Sequence, residues 1–119
     1  MPVRLLNSST LKWPDPSEVD KAVRHWAKAV TACYCKVEGV GYFGSYARGD
    51  WGVGSDLDLL MIVAEADLPF EKRGLSYDTT ALPVPVDLLV YTKSEWEALH
   101  EKGESFSETV RKELIWVYP

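Results

Sequence analysis

Three acidic residues and one Gly-Ser step carry the chemistry available to this sequence. Asp56 and Asp58 stand two apart in Ser55-Asp56-Leu57-Asp58-Leu59, where an apolar run opens. On a strand, residues two apart point to the same side, so the two carboxylates can share divalent cations. Where two metals act together they sit about 3.5–4 Å apart. Asp87 lies in Val86-Asp87-Leu88-Leu89-Val90, where a carboxylate is costly to bury unless something compensates. A cation shared with Asp56 and Asp58 would compensate. If the two strands are neighbours, three acidic groups converge into the oxygen donor set of Mg²⁺, which keeps waters and is completed by substrate phosphates.

Gly44-Ser45 precedes the acidic pair across a short, Gly-rich excursion. Gly44 lets the backbone come close to an anion. Ser45 is expected to cap a following helical turn, whose free N–H groups favour negative charge. Arg48 offers a guanidinium fork to a phosphate oxygen, with Asp50 or Glu38 as alternative, purely structural partners. Ser55, just before Asp56, joins Gly44, Ser45 and Arg48 in the expected nucleotide-binding set. A Gly-Ser step alone is an ordinary turn, and a lone Asp-x-Asp is usually a solvated strand end. Their combination with strand context and a third Asp favours a site that holds a triphosphate. Trp51 is the one tryptophan placed to touch a nucleotide; the others read as core.

The elements that must position these residues are legible in order. Val3 to Leu6 reads as a short edge strand, and Leu11 to Pro14 as a packed lead-in. Asp15-Pro16-Ser17-Glu18 is a helix start, with Asp as cap, Pro at the first position and Glu at the third. Val19, Ala22, Val23, Trp26, Ala27 and Val30 then recur at helical spacing, predicting an amphipathic helix of about four turns. Strands are predicted over Lys36–Phe43, Leu57–Val63 and Val84–Tyr91, and a last one over Leu114–Tyr118. Thr92 and Glu95 form a capping box for a helix that Gly103 ends. Ser105 to Glu108 repeats the signal for a short helix to about Lys112. The stretch 65–83 is long and mixed, with Leu75 to Thr79 open between helix and strand; it is a candidate lid or partner surface.

Composition bounds the class. The chain has 119 residues, 46% hydrophobic and 26% charged, which fits a single globular domain over 1–119. No apolar run reaches the ~20 residues of a bilayer span, and the start lacks a signal-peptide pattern, so a cytoplasmic setting is expected. A net charge of −5 argues against nucleic acid as the main partner. Cys33 and Cys35 are too close for a ready disulfide and lack zinc partners, so they read as buried or half-buried free thiols. His25 and His100 read as surface or packing residues.

The pattern Gly44-Ser45, Ala47-Arg48-Gly49, then Asp56-Leu57-Asp58 resembles the nucleotidyltransferase superfamily related to DNA polymerase beta. Within it, the chain is most similar to minimal nucleotidyltransferases, the antitoxins paired with HEPN-domain toxins. Val86 to Thr92 and the acidic, Trp-containing helix after it resemble the family's third-Asp strand and its following helix. The likeness runs from about Val19 to Tyr118. It departs at Glu113-Leu114, where the family usually carries Gly, and in the 1–13 leader.

The resemblance implies an α/β (α+β) nucleotidyltransferase fold, with a mixed sheet of four or five strands and helices mainly on one face. It implies Asp56, Asp58 and Asp87 as the metal-binding and catalytic triad, and Gly44 and Ser45 as the nucleotide-contacting turn. Two Mg²⁺ ions would bridge the triphosphate while an acceptor hydroxyl attacks in line and expels pyrophosphate, with Asp87 as ligand or general base. The implied reaction is transfer of AMP from ATP to a Tyr hydroxyl of a HEPN toxin, with which the chain would assemble. Larger superfamily members bind acceptors with extra helical domains for which this length leaves no room, so a partner is expected. The alternatives are a non-catalytic binding antitoxin with the same fold, or a small-molecule, aminoglycoside-type nucleotidyltransferase.

Overall fold

Asp15 opens the first helix as its sequence requires. In a computed structural model that describes residues 13–103 and 105–119, its side chain accepts from Glu18 N–H while the Glu18 carboxylate accepts from Asp15 N–H. This reciprocal cap, with Pro16 at the first position, starts helix α1 (Pro16–Cys33). Its 18 residues make about five turns, slightly more than expected. Val19, Val23, Trp26, Ala27 and Val30 are buried along one stripe. The expected edge strand at Val3 to Leu6 and most of the 1–13 leader lie outside the described residues.

Among the described residues four strands follow: β1 (Val37–Phe43), β2 (Leu57–Val63), β3 (Val86–Thr92) and β4 (Ile115–Tyr118). They form one mixed sheet in the order β3-β2-β1-β4. β1 is antiparallel to both β2 and β4, whereas β2 and β3 are parallel. β2 reads as a continuous apolar run because both of its faces are covered. Leu57, Leu59, Met61 and Val63 join the core with α1, while Leu60 and Ile62 join a second cluster with Trp96 and Val110. Burying each such side chain stabilises the fold by roughly 1.5–3 kcal/mol.

The second cluster belongs to helices α4 (Lys93–Lys102) and α5 (Ser105–Glu113). The mixed α/β class holds as expected, but the helices divide between the faces: α1 covers one, α4 and α5 the other. The alternation of β2 demands it, since Leu60 and Ile62 need cover on one face and Leu57, Leu59, Met61 and Val63 on the other. Among the described residues the shorter elements are α2 (Ser45–Arg48), α3 (Phe70–Arg73) and a 3₁₀ turn at Gly74–Ser76. Among the described residues no helix is long and apolar enough to cross a membrane.

Several local expectations are refined. β3 begins at Val86 rather than Val84, because Pro85 lacks an N–H and instead lends its carbonyl to Leu57 N–H at 2.8 Å. Gly41 in β1 makes room for the last strand: a Cβ there would lie 2.9 Å from the Ile115 carbonyl oxygen and 3.2 Å from the Trp116 ring. Cys33 and Cys35 are free as expected but exposed, not buried, since they sit where α1 ends and the chain turns into β1. His25 is exposed, and His100 packs edge-on against Trp96.

Arg73 ties the 65–83 segment down. Its guanidinium donates to the carbonyls of Leu68 (2.8 Å) and Val90 (3.1 Å) and forms a two-pronged pair with Glu95 at 2.6 and 3.1 Å. Glu95 also completes the capping box of Thr92. The Arg73 pair, together with the Thr92 cap, holds the Glu95 carboxyl at about 2, against an ordinary glutamate value of 4.5. A depressed carboxyl adds stability that is complete above 4.5 and is lost as pH falls toward 2. Glu95→Ala is expected to cost about 2 kcal/mol at neutral pH, and Glu95→Gln to flatten the loss of stability between these pH values. Urea unfolding across that range tests both.

Candidate active site

The site gathers where the ends of β1, β2 and β3 meet. Parallel pairing sets Asp58 of β2 directly beside Asp87 of β3, and antiparallel pairing sets Phe43 of β1 on the other side of Asp58. Partners in register point to the same face, so both carboxylates project on the α4–α5 side, below which Leu60 and Ile62 are buried. Asp56 lies just ahead of β2, is exposed, and is close enough for its charge to act on Asp58.

Asp58 is half-buried, and burial pushes its carboxyl above the usual aspartate range. The charges of Asp87 and then Asp56 push it further, while Arg48 pulls it back. Asp87 is exposed, not buried as its apolar neighbours suggested, because β3 is a sheet edge and Asp87 is only its second residue. Burial cost therefore says nothing about Asp87; its register does. Among the described residues no three Asp, Glu, His or Cys side chains stand close enough together to form a group that could hold a metal ion, so Asp56, Asp58 and Asp87 do not converge as tightly as expected. The donor chemistry still fits Mg²⁺: carboxylates that repel one another at an open surface suit an ion that keeps waters and takes substrate phosphates as further ligands.

Gly44 joins β1 to α2 at φ +82° and ψ −153°, a region open essentially to glycine alone. A Cβ at this position would collide with Asp58 Oδ2. The turn therefore presses backbone against the central carboxylate. Ser45 does not cap α2 as expected: Gly44 holds the cap position, and Ser45 is the first helical residue. The cause is the positive φ, which only Gly44 adopts without strain. Ser55 closes its own turn, its hydroxyl accepting from Gly52 N–H at 2.8 Å. Trp51 stacks on the buried Tyr46 with ring centroids 5.7 Å apart, so one of its faces is already covered.

Arg48 pairs with Asp50 at 3.1 Å, and its Nη1 meets both oxygens of Glu113 at 3.1 and 3.2 Å. Glu38 is not its partner. Those two carboxylates, Asp50 foremost, hold Arg48 in its charged form. Glu113 also accepts from Gly44 N–H at 3.2 Å, which makes it a member of the site that motif reading missed. One sequence signal was available: a carboxylate closing a helix is disfavoured there by the dipole and needs a cation elsewhere.

Away from the acids, a cavity of about 660 Å³ is lined by Tyr34, Gly74, Tyr77, Asp78, Val86 and Leu88. Val86 and Leu88 alternate with Asp87, so this hollow opens on the opposite face of β3 from the carboxylates.

Comparison with known proteins agrees with the fold. The family model described as "Nucleotidyltransferase domain" matches residues 27–117. A crystal structure of a candidate nucleotidyltransferase from Sulfolobus solfataricus superposes with a TM-score of 0.57 at 24% identity, covering 70% of this chain and 75% of the other. A crystal structure of a toxin–antitoxin with AMP-PNP superposes with a TM-score of 0.53 at 19% identity, covering 80% of this chain and 72% of the other. No curated protein matches the chain.

The site is strained in two places, and both can be measured. Ionised Asp58 costs stability above its raised pKa, and this cost disappears as pH falls through it. Asp58→Asn is therefore expected to melt higher than the wild type at neutral pH without divalent cations, with the gap closing toward about pH 4. Circular dichroism melts decide it; a lower-melting variant contradicts the repulsion. Gly44→Ala combines a disfavoured φ with a steric overlap and is expected to lose at least about 2 kcal/mol in urea unfolding.

Proposed function

The chain belongs to the nucleotidyltransferase domain family, and from that membership we propose that it transfers AMP from ATP to a Tyr hydroxyl of a partner HEPN-domain toxin, as an antitoxin. The observation that carries the transfer reading is the in-register placement of Asp58 beside Asp87, with Asp56 close by and the Gly44 turn against Asp58. Like charges side by side across a strand pair are destabilising, and a polyphosphate-binding divalent site gives them a use.

In this reading Asp56, Asp58 and Asp87 would hold Mg²⁺. When bound, the metal neutralises phosphate charge and that developing at the α-phosphorus. Gly44 N–H and the guanidinium of Arg48 take β- and γ-phosphate oxygens, with Ser45 in the same turn and Ser55 in the separate turn that leads into Asp56. Asp87 is the exposed carboxylate of the in-register pair, so an acceptor hydroxyl from outside can reach it and pass it a proton. The hydroxyl oxygen then bonds to the α-phosphorus, the bond to the bridging oxygen breaks, and pyrophosphate leaves.

Three features support a protein acceptor. Phe43, beside Asp58, makes an edge-on contact with the half-exposed Phe106 at 6.3 Å, an apolar rim suited to an aromatic side chain. The net charge of −5 disfavours a nucleic-acid acceptor. The toxin–antitoxin neighbour was crystallised with AMP-PNP.

The test is incubation of the chain with Mg²⁺, α-labelled ATP and a co-expressed helical partner. Label is expected on a Tyr of the partner, with Asp58→Asn and Asp87→Asn each lowering transfer at least about 100-fold. Wild-type chain that leaves the partner unlabelled, or label undiminished in Asp58→Asn, rejects the proposal. Partner inhibition that survives in Asp58→Asn favours a binding-only antitoxin instead.

A further inference from the structure

The carboxylate of Glu113, at the last residue of α5, reaches out of its helix into the turn between β1 and α2. One oxygen accepts from Gly44 N–H at 3.2 Å and from Arg48 Nη1 at 3.1 Å; the other lies 3.2 Å from the same nitrogen. The Glu113 side chain is only 17% exposed, so this is a seated carboxylate rather than a solvated one. Its seat is shared with negative charge, since Asp58 feels Glu113 as well as Asp87 and Asp56.

Resting on the reading that Gly44 and Arg48 receive phosphate, we infer that Glu113 is an internal stand-in for a nucleotide phosphate. It occupies the donors that the substrate must take and sets nucleotide affinity by competing for them. The chemistry of the two occupants is the same: anionic oxygens that accept from one backbone N–H and one guanidinium. Gly44 has a single N–H to give. The Nε of Arg48 is committed to Asp50, so the Nη side is where an incoming anion and Glu113 contend. A phosphate arriving there must turn Glu113 out or bind against its repulsion. Each nucleotide-binding event then carries a fixed cost from the protein's own side chain.

Titration of the full chain with AMP-PNP and Mg²⁺ by calorimetry tests this, comparing wild type, Glu113→Ala and Glu113→Gln. Glu113→Ala is expected to bind about tenfold more tightly, on the scale of one charge-assisted hydrogen bond. Glu113→Gln keeps the shape and an acceptor oxygen without the charge, and is expected to fall between the two. It also guards against loss of fold in the Ala variant, which a melting curve reveals. A merely structural Glu113 would give weaker binding when removed. If wild type binds and both variants bind equally or more weakly, the inference fails while the phosphate-site reading stands. If wild type and variants all fail to bind, that reading fails and the inference with it.

Discussion

The parallel pairing of β2 with β3 is the constraint on which the site depends. It fixes Asp58 beside Asp87 by register, with no freedom for a one-residue slip, because a slip would turn the whole apolar set of β3 to the wrong face. The register is held from both sides. β2 is buried on both faces, so it cannot shift without disturbing the α1 core and the α4–α5 core together. β3 is an edge, but Arg73 binds the Val90 carbonyl and Glu95, locking it to the segment before it and the helix after it. Two carboxylates that repel are thus held in place by contacts that do not involve them.

Gly44 shows the same division between framework and site. The β1–β2 pairing brings the end of β1 against Asp58, and only a residue without a Cβ fits there. The turn cannot relax, because Gly44 is braced by its carbonyl, which accepts from Ala47 and Arg48, and by its N–H, which Glu113 accepts. Glu113 reaches it from α5, some seventy residues away in sequence, so the last helix and strand help to shape the site that the first two strands begin.

Much of this was legible in the residues. Asp15 and Thr92 announced their helices through caps that depend only on neighbours three residues away, and local rules suffice for such features. The four main strands were readable from apolar runs. Long-range partners hid the rest. Nothing local in β1 shows why Gly39 and Gly41 stand there; the distant Trp116 packs over both. Asp87 looked buried because periodicity shows a residue's own strand and not whether a neighbour covers it. Ser45 looked like a cap because the preference for Ser there is local, whereas the positive φ at Gly44 is imposed by the packing against Asp58. Glu113 was visible only as a departure from a motif and as an acid closing a helix, since no short spacing links it to Arg48.

This pattern has a physical cause. The framework is built from interactions that agree with one another: caps, apolar stripes and a strongly held Arg73–Glu95 pair. The site is built from interactions that conflict: adjacent like charges, a backbone outside the ordinary regions, and an anion at the end of a helix. Conflicting groups persist only where the surroundings over-determine them. Here two separate apolar clusters, on opposite faces of β2, supply that surplus. A ligand bringing positive charge between Asp58 and Asp87 and negative charge to Arg48 would relieve the first conflict while displacing the carboxylate that creates the last. Such a ligand would therefore remove one strain of the free chain, the paired carboxylates, and work against one of its contacts, the hold of Glu113 on Gly44 and Arg48.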